Sequence, residues 1–157
     1  MNISVPVSEP SAWFLAFFET TSLGWLNRAP LLRFRHVSAF GYAPGFNCWI
    51  FYDVHWRGVS IYLVSHETAK ARIGELTRGA IVVRMARRED ALPLHARLGF
   101  YCVPAMKHLV GLACVAVTPD GFYRSVLKAG GEVVFGCESA AAAAGPDAAA
   151  SGAASPD

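Results

Sequence analysis

Residues 31–64 hold three β-rich runs in close succession, and this pattern constrains the chain more than any other. Leu31 to Tyr42 reads as a long strand with Leu32, Phe34, His36, Ser38 and Phe40 on one face, because successive side chains of a strand alternate. Cys48 to Val54 follows, with Trp49, Phe51 and Asp53 on a common face. Gly58 to Val64 comes next, after the short His55-Trp56-Arg57 connection. Connections this short join antiparallel neighbours, so the runs predict an antiparallel meander over 31–64. Between the first two runs lies Ala43-Pro44-Gly45-Phe46, with Pro and Gly in the order a type II turn prefers. A turn centred on Pro44-Gly45 sets His36 directly opposite Asp53, with Cβ atoms about 4.5–5.5 Å apart.

The rest of the chain is punctuated as an α+β domain. Ser65 is a capping residue for a short helix from His66 to about Leu76, and Ala80 to Met85 returns as a strand. The charged segment from Arg87 to Leu98 contains Pro93 and reads as a loop. Pro104 is tolerated in a helix only within the first turn, which places a helix start at Cys102 and its end near Gly111. Thr118-Pro119-Asp120 supplies a hydroxyl cap, a proline at the first helical position and an acid in the first turn. Phe122, Tyr123, Val126 and Leu127 form that helix's buried face. Glu132 to Phe135 reads as a final edge strand. The expected fold class is α+β: an antiparallel sheet, made of the 31–64 meander and the 80–85 strand, packed against helices.

Three regions are expected. Residues 1–30 read as an N-terminal aromatic helical segment in which Trp13, Phe14, Phe17, Phe18, Leu23 and Trp25 cluster between Ala12 and Leu26. Two further uses of the 12–26 segment stay open, a membrane-interface helix and an aromatic patch that docks a protein partner. No basic residue precedes Arg28 to hold anionic headgroups. Residues 31–137 form a single α+β domain, and 138–157, almost wholly Ala, Gly, Ser, Pro and Asp, read as a disordered tail.

The 157 residues suit one core, and 54% of them are hydrophobic. The apolar runs break well before the roughly 20 residues that a transmembrane helix needs, so no transmembrane segment is expected. A net charge of +2, from 14 basic and 12 acidic residues, gives no field that argues for nucleic acid. Cys48, Cys102, Cys114 and Cys137 show no C-x-x-C and no zinc spacing, and neither metal nor cofactor is implied. With no leader pattern at the N-terminus, reduced thiols and a compartment such as the bacterial cytoplasm are expected, in a bacterial or phage-encoded protein.

Cys102 carries the chemistry that the sequence offers. Free backbone N–H groups and the positive end of a helix dipole favour a thiolate at a helix start. Free cysteine is also among the most buried residue types, so a core role competes with a nucleophilic one. A nucleophilic cysteine needs a base and often a third group to orient that base. His36 opposite Asp53 supplies both. His108 lies about 9 Å along the helix axis from Cys102, too far to be the base. His55, His66 and His95 fall in connections or at element ends.

The order His36, Asp53, Cys102 resembles the papain-like cysteine hydrolases in the circularly permuted form of the NlpC-type amidase superfamily, over roughly residues 31–130. There a strand-borne histidine and its polar partner precede a helix-borne cysteine. The resemblance implies a Cys-His-Asp triad acting on an amide- or peptide-containing substrate by hydrolysis or acyl transfer. Cys102 would attack the carbonyl, His36 would shuttle the proton and Asp53 would orient His36. The Cys102 N–H would serve as the first oxyanion donor. The acyltransferase branch carries an Asn-Cys-Glu-His type motif, where this chain has Tyr101-Cys102-Val103-Pro104. The alternative is a non-enzymatic accessory or virion component that keeps the same fold and docks on a partner.

Overall fold

The computed structural model describes residues 9–20, 32–88 and 101–136. They form a six-stranded antiparallel sheet and three α-helices. The strands are β1 (Ala12–Phe18), β2 (His36–Ala43), β3 (Cys48–His55), β4 (Gly58–Ser65), β5 (Ala80–Ala86) and β6 (Glu132–Phe135). The helices are α1 (His66–Thr77), α2 (Cys102–Val110) and α3 (Pro119–Lys128). Across the sheet the strands run β4-β3-β2-β1-β5-β6, every neighbouring pair antiparallel.

The first correction concerns the aromatic segment. Ala12–Phe18 is a strand at the centre of the sheet, paired with β2 on one side and β5 on the other. A central strand buried on both faces is a continuous apolar run, and over seven residues such a run does not distinguish strand from helix by periodicity. Trp13, Leu15 and Phe17 enter the larger core on one face, while Phe14, Ala16 and Phe18 belong to the smaller core on the other. Trp13, Leu15 and Phe17 are buried and Phe14 and Phe18 half-buried, while residues 21–26 of the aromatic segment lie outside the described residues. β1 is therefore part of the same sheet as residues 36–86 and not a separate N-terminal unit. Residues 21–31, Arg87–Leu98 beyond Arg88, and the tail from 137 onward lie outside the described residues.

The meander, the fifth strand, the edge strand β6 and the three helices fall where the punctuation places them. β2 begins at His36 and not at Leu31, because the segment before it is held differently. The Phe34 amide donates to both carboxylate oxygens of Asp120 at 3.2 Å, and the Arg35 amide donates to the Phe18 carbonyl at 2.9 Å. Asp120 thus fixes the approach to β2 from the first turn of α3. Helices α2 and α3 cover one face, with Met106, Val110, Phe122 and Val126 fully buried against Leu15, Phe17, Val37 and Val83. On the opposite face, Ile73 and Leu76 of α1 pack beside Phe40, Phe51 and Val82.

The second correction concerns register. The β2–β3 turn holds four residues, a 3-10 turn over Pro44–Phe46 followed by Asn47 at φ 46°, so Ala43 pairs with Cys48 and Ala39 with Tyr52. Asparagine tolerates this left-handed conformation, and the Tyr42 hydroxyl donates to its Oδ1 at 2.7 Å. The ladder is therefore displaced by two residues from a Pro44-Gly45 centred hairpin. His36 is not directly opposite Asp53. A displacement of two keeps each side chain on its face, because the strand period is two. Among the described residues no helix is long and apolar enough to cross a membrane.

Candidate active site

Cys102 is the first residue of α2, and Tyr101 is its N-cap. The Tyr101 side chain makes no capping hydrogen bond; its hydroxyl donates instead to the Val117 carbonyl at 2.9 Å. A Ser, Thr, Asp or Asn at this position would take one of the first-turn N–H groups. The Tyr101 side chain takes none of them. Cys102 is 7% exposed and touches the main core, yet it also lines an open groove of about 720 Å³.

His36 opens β2 and Asp53 lies near the end of β3, a diagonal step away in the ladder. Diagonal neighbours stand about 7–8 Å apart at the backbone, within the combined reach of a histidine and an aspartate. His36 Nε2 and Asp53 Oδ1 meet at 2.7 Å. The ring of Phe18 lies 5.9 Å from the imidazole, centroid to centroid, and supports it from β1. Cys102 lies close enough to His36 to favour its protonated form, and both line the groove. With Nε2 committed to Asp53, Nδ1 is the nitrogen left to exchange a proton with the thiol.

Burial by itself draws the His36 pKa down. The hydrogen bond to Asp53 and the proximity of Cys102 and Asp53 outweigh it and raise the pKa from 6.5 to about 9. The imidazolium is therefore the resting form at neutral pH. For Tyr101, burial and the adjacent charge of Cys102 both raise the phenol. The two shifts share Cys102 as a neighbour, while burial acts on them in opposite directions.

All three residues singled out in the sequence meet here. Of the other histidines, His55 also lines the groove, but both of its ring nitrogens are engaged elsewhere. His55 is held by the β3–β4 turn, its Nδ1 accepting from the Arg57 amide at 3.1 Å and its Nε2 donating to Ser60 Oγ at 3.0 Å. His66 Nδ1 accepts from the Trp49 indole at 3.3 Å. His108 is exposed on α2, and His95 lies outside the described residues. Among the described residues, no group of three or more His, Cys, Asp or Glu side chains is gathered as metal ligands would be.

Two site residues escaped the sequence reading. Ser38 follows His36 on the same face of β2, is 5% exposed, and its Oγ has no hydrogen-bond partner. It lines both the groove and a smaller cavity of about 120 Å³ behind Asp53. Trp56, in the β3–β4 turn, lines the groove three residues past Asp53 in the chain. The signal for Trp56 was present, since two-residue turns select Asn, Asp and Gly and have no use for an indole.

No family model matches the chain, and no match is found among curated proteins or solved structures.

Proposed function

We propose that the protein is a cysteine-dependent hydrolase or acyltransferase that acts on an amide or peptide bond through Cys102, His36 and Asp53. The observation that carries this reading is His36 bonded to Asp53 at 2.7 Å and lining, together with Cys102, one open groove in which Cys102 favours the protonated imidazole. In the reaction, the Cys102 proton is held on His36, and the Sγ thiolate bonds to the acyl carbon while the carbonyl π electrons move onto oxygen, where the Cys102 N–H is the first donor to the oxyanion. As the tetrahedral intermediate collapses, the C–N bond breaks and protonated His36 gives its proton to the departing amine. Water then attacks the thioester and His36 takes the water's proton. Cleavage of the C–S bond releases the acid, and the Cys102–His36 pair is restored. In acyl transfer, another nucleophile replaces that water.

The chain order of histidine, aspartate and cysteine supports a permuted papain-like arrangement of the α+β fold. Three thiols free in the structure, at Cys48, Cys102 and Cys114, suit a reducing compartment such as the bacterial cytoplasm.

The rival reading, an interaction protein on this fold, rests on edge strand β4, where Ile61 and Leu63 are 62% and 71% exposed. One experiment separates the two. Labelling with a thiol-reactive acyl-enzyme probe should mark the wild type and lose the mark in both Cys102→Ala and His36→Ala. Labelling that persists at full rate in His36→Ala would leave Cys102 an ordinary thiol and favour the interaction protein.

A further inference from the structure

Trp56 is 83% exposed in the turn Trp56-Arg57 between β3 and β4. The fold does not ask for it there. Asn47 is the one non-glycine with positive φ among the described residues, so Trp56 and Arg57 adopt ordinary backbone, and Gly58 at φ 140° takes the demanding position. An indole held in water forgoes burial of one of the largest apolar side chains. It also stands at the mouth of the groove that holds Cys102 and His36.

Two stretches of the lining belong with different members of the site. Tyr101 precedes Cys102 and its hydroxyl ties Val117 to the same stretch. Trp56 follows Asp53 by three residues, just past the end of β3, and the leaving amine must come to His36, which Asp53 holds, to collect its proton.

We propose that Trp56 receives a large apolar side chain on the amine side of the scissile bond, so that the substrate class is a polypeptide cut just before an aromatic or large aliphatic residue. This rests on the triad reading above. A polypeptide fits better than a fatty acyl chain, because Thr20, Ser38 and Thr118 are interleaved with the apolar lining. Thr20 is exposed, and the Thr118 hydroxyl, which accepts from the Gly121 amide, keeps its own proton to donate, so a peptide backbone can pair with both and a hydrocarbon chain with neither.

The test is a synthetic peptide library digested by the full chain, with new amino termini read by mass spectrometry and with retention of uncut peptides on Cys102→Ala measured in parallel. Phe, Trp or Leu should be enriched about tenfold in the first two positions after the cut, the scale that apolar contacts reach in discrimination. The enrichment should vanish in Trp56→Ala and return in Trp56→Phe. Cleavage without enrichment, enrichment that survives Trp56→Ala, turnover confined to long-chain acyl esters, or a library neither cut nor retained would each overturn the proposal. His36-dependent alkylation of Cys102 in the same preparation is scored separately, so a failed triad is distinguished from a failed preference.

Discussion

His36 and Asp53 meet at 2.7 Å across a diagonal of the β2–β3 pair. The diagonal matters because it leaves the position across from Asp53 to Ser38, one step past the Ala39–Tyr52 pair. The histidine stays at the very start of its strand, where it bonds the carboxylate and shares the groove with Cys102.

The first prediction concerns pH. The folded-state pKa of His36, about 9, lies above the unfolded value of 6.5. Its protonation stabilises the fold fully below about pH 6.5, and that stabilisation is lost as the pH climbs through about 9. Thermal melts from pH 6 to 10 should therefore show a decline in the wild type that flattens in His36→Gln. For turnover, kcat/KM should fall on an alkaline limb near pH 9, where His36 no longer holds the proton for the leaving amine. A limb in the same place in His36→Gln would assign it to another group.

Alkylation tests the pair more directly. At about pH 7, Cys102 should react faster with iodoacetamide than Cys48 and Cys114, and His36→Ala should slow it about 100-fold. Asp53→Asn should slow it less, since the orienting geometry is largely kept. Equal rates for the three thiols would make Cys102 a core residue.

Asp120 is expected to act on the site through the backbone. Its carboxylate holds the Phe34 amide two residues before His36, and Asp120→Ala leaves that donor part-buried and unpaired at a cost of about 2 kcal/mol. A drop in Tm of about 4–8 °C should follow for a chain of this size, with partial recovery in Asp120→Asn. An unchanged Tm would mean that the segment before β2 is anchored elsewhere.

Gly111 closes α2 at φ 67°, and a Cβ there would strike the Arg88 carbonyl. Gly111→Ala combines the left-handed penalty of about 1–2 kcal/mol with that clash. It should destabilise more than Gly130→Ala, whose φ of 93° is equally unfavourable but whose Cβ meets nothing within 4 Å. Comparing the two melts isolates the steric part.

Much of this fold was legible where side chains act locally. Ser65 accepts from the Thr68 amide and Thr118 from that of Gly121, as their positions before helical patterns imply. Cys102 starts α2 because Pro104 permits little else. What depended on distant partners was harder to read. Ala12–Phe18 is a strand because β2 and β5 flank it, and nothing inside the segment announces those neighbours. The β2–β3 register turned on whether Phe46 and Asn47 belong to the turn or to the strand. The pairing of His36 with Asp53 survived that error only because the displacement was an even number of residues.

The central place of β1 bears on the order in which the domain can assemble. β2, β3 and β4 follow one another in the chain and can zip together as neighbouring hairpins, at small cost in loop closure. β1 must instead be inserted between β2 and a β5 that lies more than sixty residues further along. Until it is, His36 has a carboxylate but lacks the Phe18 ring that supports it. Chemical competence then arrives with the last long-range closure, and hydrogen-exchange labelling during refolding should find β1 and β5 protected together, after the β3–β4 hairpin.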